Sequence, residues 1–155
     1  MELTSPAFKP GGFIPKRHSC QGADVSPALA WAQVPPGTKS FALIMDDLDA
    51  PAGIWVHWVL YDLPGGLTGL AEGLSKQAGL PDGSKQGRSW GVADFERVGY
   101  SGPCPPPGRA HRYYFKLYAL DGLLGLPAQA TKAQVRKAMR GRVLGQAELL
   151  GLYRR

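Results

Sequence analysis

Long apolar runs are scarce in this chain. No uninterrupted stretch approaches the ~18–20 residues needed to cross a bilayer as a helix, and residues 1–15 combine Glu2 and Lys9 with several Gly and Pro but no apolar signal-peptide core. A soluble, cytoplasmic protein without stable membrane insertion is therefore expected. Cysteine is nearly absent: Cys20 and Cys104 stand 84 residues apart and form no C-x-x-C. That excludes a disulfide scaffold or zinc ribbon, and in a reducing cytosol both are expected as free thiols, unless folding brings them together. Charged residues make up only 19%, below the usual ~25%. The chain has no phosphate-cradling P-loop, no G-x-G-x-x-G, no G-x-S-x-G elbow and no H-E-x-x-H, so glycine-cradle nucleotide binding, the serine-hydrolase elbow and the zincin motif lose support. No cofactor is expected.

Turn formers are abundant, with 21 Gly and 14 Pro in 155 residues, so loops must be numerous. A hydrophobic content of 44%, with four Trp, six Tyr and five Phe, still suffices for a packed core and excludes a disordered chain. Length and the lack of a linker suggest one domain over 1–155. The formal charge of +6 and pI near 9.5 would suggest a polyanionic partner, but the charge is local. Residues 1–131 carry eleven Lys/Arg against eleven Asp/Glu, whereas residues 132–155 carry seven Lys/Arg against Glu148 alone. The body is balanced, and without interleaved aromatics the basic stripe Lys132, Arg136 and Arg140 reads as a solvated face rather than a nucleic-acid surface.

Strands dominate the pattern. Residues 41–45 form a short apolar run between a Pro-Pro-Gly turn and the acidic cluster Asp46, Asp47 and Asp49, as a buried strand would. Residues 54–62 are aromatic and β-branched; strict alternation would put Trp55, His57, Val59 and Tyr61 on one face and Ile54, Val56, Trp58 and Leu60 on the other. Residues 65–110 are loop-rich and end in the stiff run Gly102-Pro-Cys-Pro-Pro-Pro-Gly108. Residues 111–120 alternate again, with His111, Tyr113, Phe115 and Leu117 on one face. Thr131 with Gln134 predicts a capping box opening a short helix to about Arg140. Residues 143–153 satisfy both helical and strand periods.

One constellation suggests chemistry: the three aspartates, His57, and His111 with Tyr113. A carboxylate on an imidazole fixes its orientation, and two imidazoles with a phenol and loop N–H groups supply donors for an anion such as phosphate. The same residues would also serve as core imidazoles and turn caps. A hydrolase, with Cys104 or Ser26 as nucleophile, or a metal-dependent enzyme using the His/Asp cluster, is the alternative.

The motifs carry a resemblance. Phe13-Ile-Pro-Lys-Arg-His-Ser-Cys-Gln-Gly22, Asp24-Val-Ser-Pro27, Asp47-Leu-Asp-Ala-Pro51, Val56-His-Trp-Val-Leu-Tyr61, Gly99-Tyr100, Gly102-Pro-Cys-Pro-Pro-Pro-Gly108 and His111-Arg-Tyr113 follow one another. In this order they resemble the phosphatidylethanolamine-binding protein family, in its bacterial Raf kinase inhibitor-like branch. The resemblance implies a mainly β fold, a large central antiparallel sheet packed on a smaller one with one or two short helices, and it tips residues 143–153 toward a strand. It implies a non-enzymatic protein whose pocket takes a small anion at Asp47, Pro51, His57, Gly102, Pro103, His111 and Tyr113. The partner would be a phosphate-containing small molecule or a phosphorylated or acidic protein side chain, with regulation of kinases or other signalling or metabolic partners as the role, and homodimers compatible with the branch. Where the family's motif reads D-P-D-x-P, Leu48 stands in place of the first proline and leaves the turn less rigid.

Overall fold

The computed structural model describes residues 1–89 and 97–155. In chain order the strands are β1 (Glu2–Thr4), β2 (Leu29–Ala32), β3 (Ser40–Asp47), β4 (Trp55–Pro64), β5 (Gly69–Leu70), β6 (Lys85–Gln86), β7 (Arg88–Ser89), β8 (Arg97–Val98), β9 (His111–Leu120) and β10 (Val143–Tyr153). Among the described residues one α-helix, α1 (Lys132–Met139), precedes the last strand, and one 3-10 turn covers Lys16–His18. A five-stranded antiparallel sheet runs β10-β9-β3-β4-β6, a three-stranded sheet runs β1-β2-β5, and β7 pairs with β8.

The central sheet is buried on both faces, which explains why its middle strand β3 is apolar throughout residues 41–45 and fully buried. One face, with Met45, Trp58, Leu60, Phe115 and Leu117, packs on Leu3, Leu29 and Trp31 of the smaller sheet. The other face, with Ile44, Val59 and Tyr61, is closed by Val135 and Met139 of α1. The helix begins as the sequence predicts: the Thr131 hydroxyl accepts from the Gln134 N–H at 3.2 Å, and the Gln134 side chain accepts from the Thr131 N–H at 2.9 Å. It covers the sheet at some electrostatic cost: Lys132 reaches into the interior and pairs with buried Asp46 at 2.8 Å, so the basic stripe is only partly solvated.

Alternation describes β9 throughout, burying His111, Tyr113, Phe115 and Leu117 on one face. It fails in β4. Met45 pairs with Trp58 but Asp46 pairs with Val56, so His57 is an extra residue in a bulge. The bulge shifts the strand's phase. Trp55 and His57 share a face as expected, but beyond the bulge that face continues with Trp58 and Leu60, while Val59 and Tyr61 turn toward α1. A second irregularity sets Leu43 against Leu60 and Phe41 against Leu63, with Asp62 at φ 54° between them. Residues 143–153 form a strand along the full length of β9.

The cysteines are not free thiols. Cys20 and Cys104 form a disulfide with Cα atoms 5.4 Å apart, because the turn after the 3-10 segment lies against the proline-rich run, where the Cys20 N–H donates to the Pro103 carbonyl at 3.1 Å. Sequence separation carries no information about that meeting.

Candidate functional site

At the end of the central sheet where β3 finishes and β4 and β9 begin, a cavity of about 440 Å³ opens between the strands and the proline-rich run. Six of the seven residues expected from the sequence line it: Asp47, Pro51, His57, Gly102, His111 and Tyr113. The seventh, Pro103, is buried behind the wall and contributes its carbonyl to Cys20 instead.

The three aspartates read as one cluster go to three places. Alternation along β3 sends Asp46 to the α1 face, where one carboxylate oxygen meets Lys132 and the other has no hydrogen-bond partner. Asp47 points into the cavity and its Oδ2 accepts from His111 Nδ1 at 2.7 Å, both side chains being buried. Asp49 turns outward and receives the Arg112 guanidinium at 2.9 and 3.0 Å together with the Arg112 backbone N–H at 2.9 Å. This charge-assisted grip holds the Asp49 carboxyl down to a pKa of about 2.

The turn carrying Asp47 is firm without its first proline. Leu48 uses the N–H that a proline would lack, donating to the Arg112 carbonyl at 3.2 Å, and the Asp49 N–H donates to Asp47 Oδ1 at 2.8 Å. Both carboxylate oxygens of Asp47 are thereby occupied, and the expected looseness is replaced by hydrogen bonding.

His57 is buried at 5% exposure and donates from Nδ1 to the Ser101 carbonyl at 2.6 Å. Desolvation pushes its pKa below the usual value, outweighing the attraction of nearby carboxylates. Its ring meets Tyr113 edge to face, with centroids 5.2 Å apart. The Tyr113 hydroxyl is buried and makes no hydrogen bond of acceptable geometry; that burial, with the Asp47 carboxylate nearby, drives the phenol pKa up. The phenol therefore keeps its proton.

The loop donors expected from the sequence are already engaged. The Gly102 N–H donates to Asp24 Oδ1 at 2.8 Å, and the Ser101 N–H donates to the His57 carbonyl at 2.9 Å. Gly102 is required there for another reason: a Cβ would lie 2.2 Å from the His18 carbonyl oxygen. Asp24, Trp55, Ser89, Arg97 and Ser101, none of them expected from the sequence, also line the cavity. Trp55 could have been found, since it shares the His57 face two residues away; the others sit on loops or very short strands without periodicity. Among the described residues no group of three His, Cys, Asp or Glu is placed to hold a metal ion. No helix among them is long and apolar enough to cross a membrane.

Comparison with known proteins agrees with this architecture. Residues 4–154 match the model for phosphatidylethanolamine-binding proteins. A UPF0098 protein of Methanothermobacter thermautotrophicus is 50% identical over 155 residues, covering 100% of this chain and 99% of its own length. One from Aquifex aeolicus is 50% identical over 157 residues and is covered to 89%. The crystal structure of a phosphatidylethanolamine-binding protein homologue from Chlamydia trachomatis superposes with a TM-score of 0.88 at 40% identity, covering 99% of this chain and 97% of that one. That of E. coli YbcL, described as a new member of the mammalian family, superposes at 0.89 and 34% identity, covering 99% and 98%. By sequence and by fold, this chain belongs to the phosphatidylethanolamine-binding protein family.

Proposed function

We propose that this protein is a non-enzymatic binding protein whose cavity takes a small oxyanion of the phosphate class, either free or as part of a phosphorylated molecule or side chain, in a regulatory role toward kinases or other signalling or metabolic partners. One observation carries the reading: the Asp47–His111 pair, bonded at 2.7 Å, shares a cavity with the buried, unpaired Tyr113 hydroxyl. An imidazolium at His111 has its counter-charge in place and donates from Nε2, and a phenol without a partner is costly to bury unless a ligand satisfies it. Cytoplasmic location belongs to the same reading and sets a condition on it, since the Cys20–Cys104 bridge must there withstand a reducing thiol pool.

Titrating inorganic phosphate while following the imidazole signals by NMR tests the reading. Shifts at His57 and His111, with at least about tenfold weaker binding in Tyr113→Phe, are the expected result. A titration that moves neither ring overturns it.

A further inference from the structure

His57 and His111 face the same cavity but offer it different chemistry. A carbonyl oxygen only accepts, so the 2.6 Å contact to Ser101 places the His57 proton on Nδ1. In the neutral ring Nε2 is then a lone pair, and it has no protein donor among the described residues. Burial maintains that neutral form by disfavouring the charged ring. His111 also has Nδ1 engaged, on Asp47, but its second proton would be matched by a carboxylate 2.7 Å away. One ring is built to accept and the other is equipped to donate.

The remaining groups on the cavity sharpen the asymmetry. Asp24 and Asp47 are acidic, the Tyr113 hydroxyl donates, and Arg97 is the one Lys or Arg in the lining among the described residues. A bare oxyanion would set an unprotonated oxygen against the His57 lone pair and against two carboxylates. An oxyanion with its own hydroxyl would satisfy both sides, accepting from His111 and Tyr113 and donating to His57 Nε2.

We propose that His57 makes the cavity selective for oxyanions that bring a hydrogen-bond donor: inorganic phosphate, or the monoanion of a phosphomonoester, in preference to sulfate and to phosphodiesters. The inference rests on the anion reading above and goes beyond it by assigning the ligand's protonation state. Sulfate and phosphodiesters carry no hydroxyl proton near neutrality. A phosphomonoester loses its last one around pH 6, whereas inorganic phosphate keeps at least one throughout the neutral range. Leaving a buried acceptor unsatisfied and facing a like lone pair costs roughly ten- to hundredfold in affinity.

Calorimetric titration of the intact protein with four probes tests this: inorganic phosphate, sulfate, dimethyl phosphate as the diester of a lipid headgroup, and O-phosphoserine as a phosphorylated side chain. At pH 7, phosphate is expected to bind at least about tenfold more tightly than sulfate or dimethyl phosphate. Between pH 5.5 and 7.5, O-phosphoserine should weaken relative to phosphate, a ratio in which changes of the protein common to both ligands cancel. Sulfate binding as tightly as phosphate, or a ratio unchanged with pH, overturns the selectivity and leaves the anion reading standing. Absence of binding by all four overturns both. His57→Gln, whose amide can donate to a bare oxyanion, should bring sulfate close to phosphate. Should that variant fail to fold, the comparison of ligands on the unsubstituted protein still decides, as does a nitrogen-resolved NMR spectrum in which a proton on His57 Nε2 in the phosphate complex would overturn the proposal.

Discussion

Burial keeps His57 uncharged in the folded chain, with consequences for stability as well as for binding. Its folded pKa lies below the ordinary 6.5, so the unfolded chain takes up a proton that the native state resists. The sign follows: the contribution is full above pH 6.5 and is lost as pH falls, by up to about 1.4 kcal/mol per pH unit while only the unfolded form is protonated. Urea unfolding midpoints followed from pH 7.5 to 5.0 should decline more steeply for the wild type than for His57→Gln. Parallel curves would show that the ring is not kept neutral. At this scale the sequence was informative about identity and silent about role. It pointed to both histidines, Asp47 and Tyr113, but the difference between His57 and His111 comes from Ser101 and Asp47, and the Ser101 carbonyl is a backbone atom 44 residues away that no side-chain pattern reveals.

Among the elements, the turn after β3 ties the cavity to the edge of the sheet. Asp47 faces inward to His111, Asp49 faces outward to Arg112, and Leu48 between them bonds to the Arg112 carbonyl, so two neighbouring residues of β9 hold three consecutive residues of one turn. The Asp49 carboxyl, lowered to about 2 from an ordinary 3.8, adds stability that is present above pH 3.8 and lost as pH falls through 2. Thermal unfolding between pH 4 and pH 2 should therefore be less pH-dependent in Asp49→Asn than in the wild type; identical slopes would mean that the ion pair does not hold the turn. Element types were legible where one period ran unbroken, as in β9 and the capped helix. The β4 faces were misassigned because a bulge inserts one residue without any change in composition, and 143–153 met two periods at once until pairing with β9 selected the strand.

On the scale of the whole molecule, folding joins Cys20 to Cys104 across 84 residues. Restricting the unfolded chain over such a span stabilises the native state by roughly 4.5 kcal/mol on chain-entropy grounds. Reduction, or Cys20→Ser with Cys104→Ser, should lower the denaturation midpoint by a corresponding amount, and an unchanged midpoint would show that the bridge constrains nothing the fold does not already fix. The mainly β architecture could be read from strand periods and motif order together. The bridge and the back wall of the cavity could not, since both depend on loops meeting at long range. The bridge also divides the molecule covalently. Residues 20–104 form a closed ring that carries Asp24, Asp47, His57 and Ser101, whereas His111 and Tyr113 lie on an open tail outside it. A single cut within the ring leaves the chain in one piece, whereas a cut just after Cys104 releases β9 and β10 from every covalent tie to the rest. The cavity is thus assembled from a ring and a tail that meet there through the Asp47–His111 hydrogen bond and the β3–β9 pairing beside it.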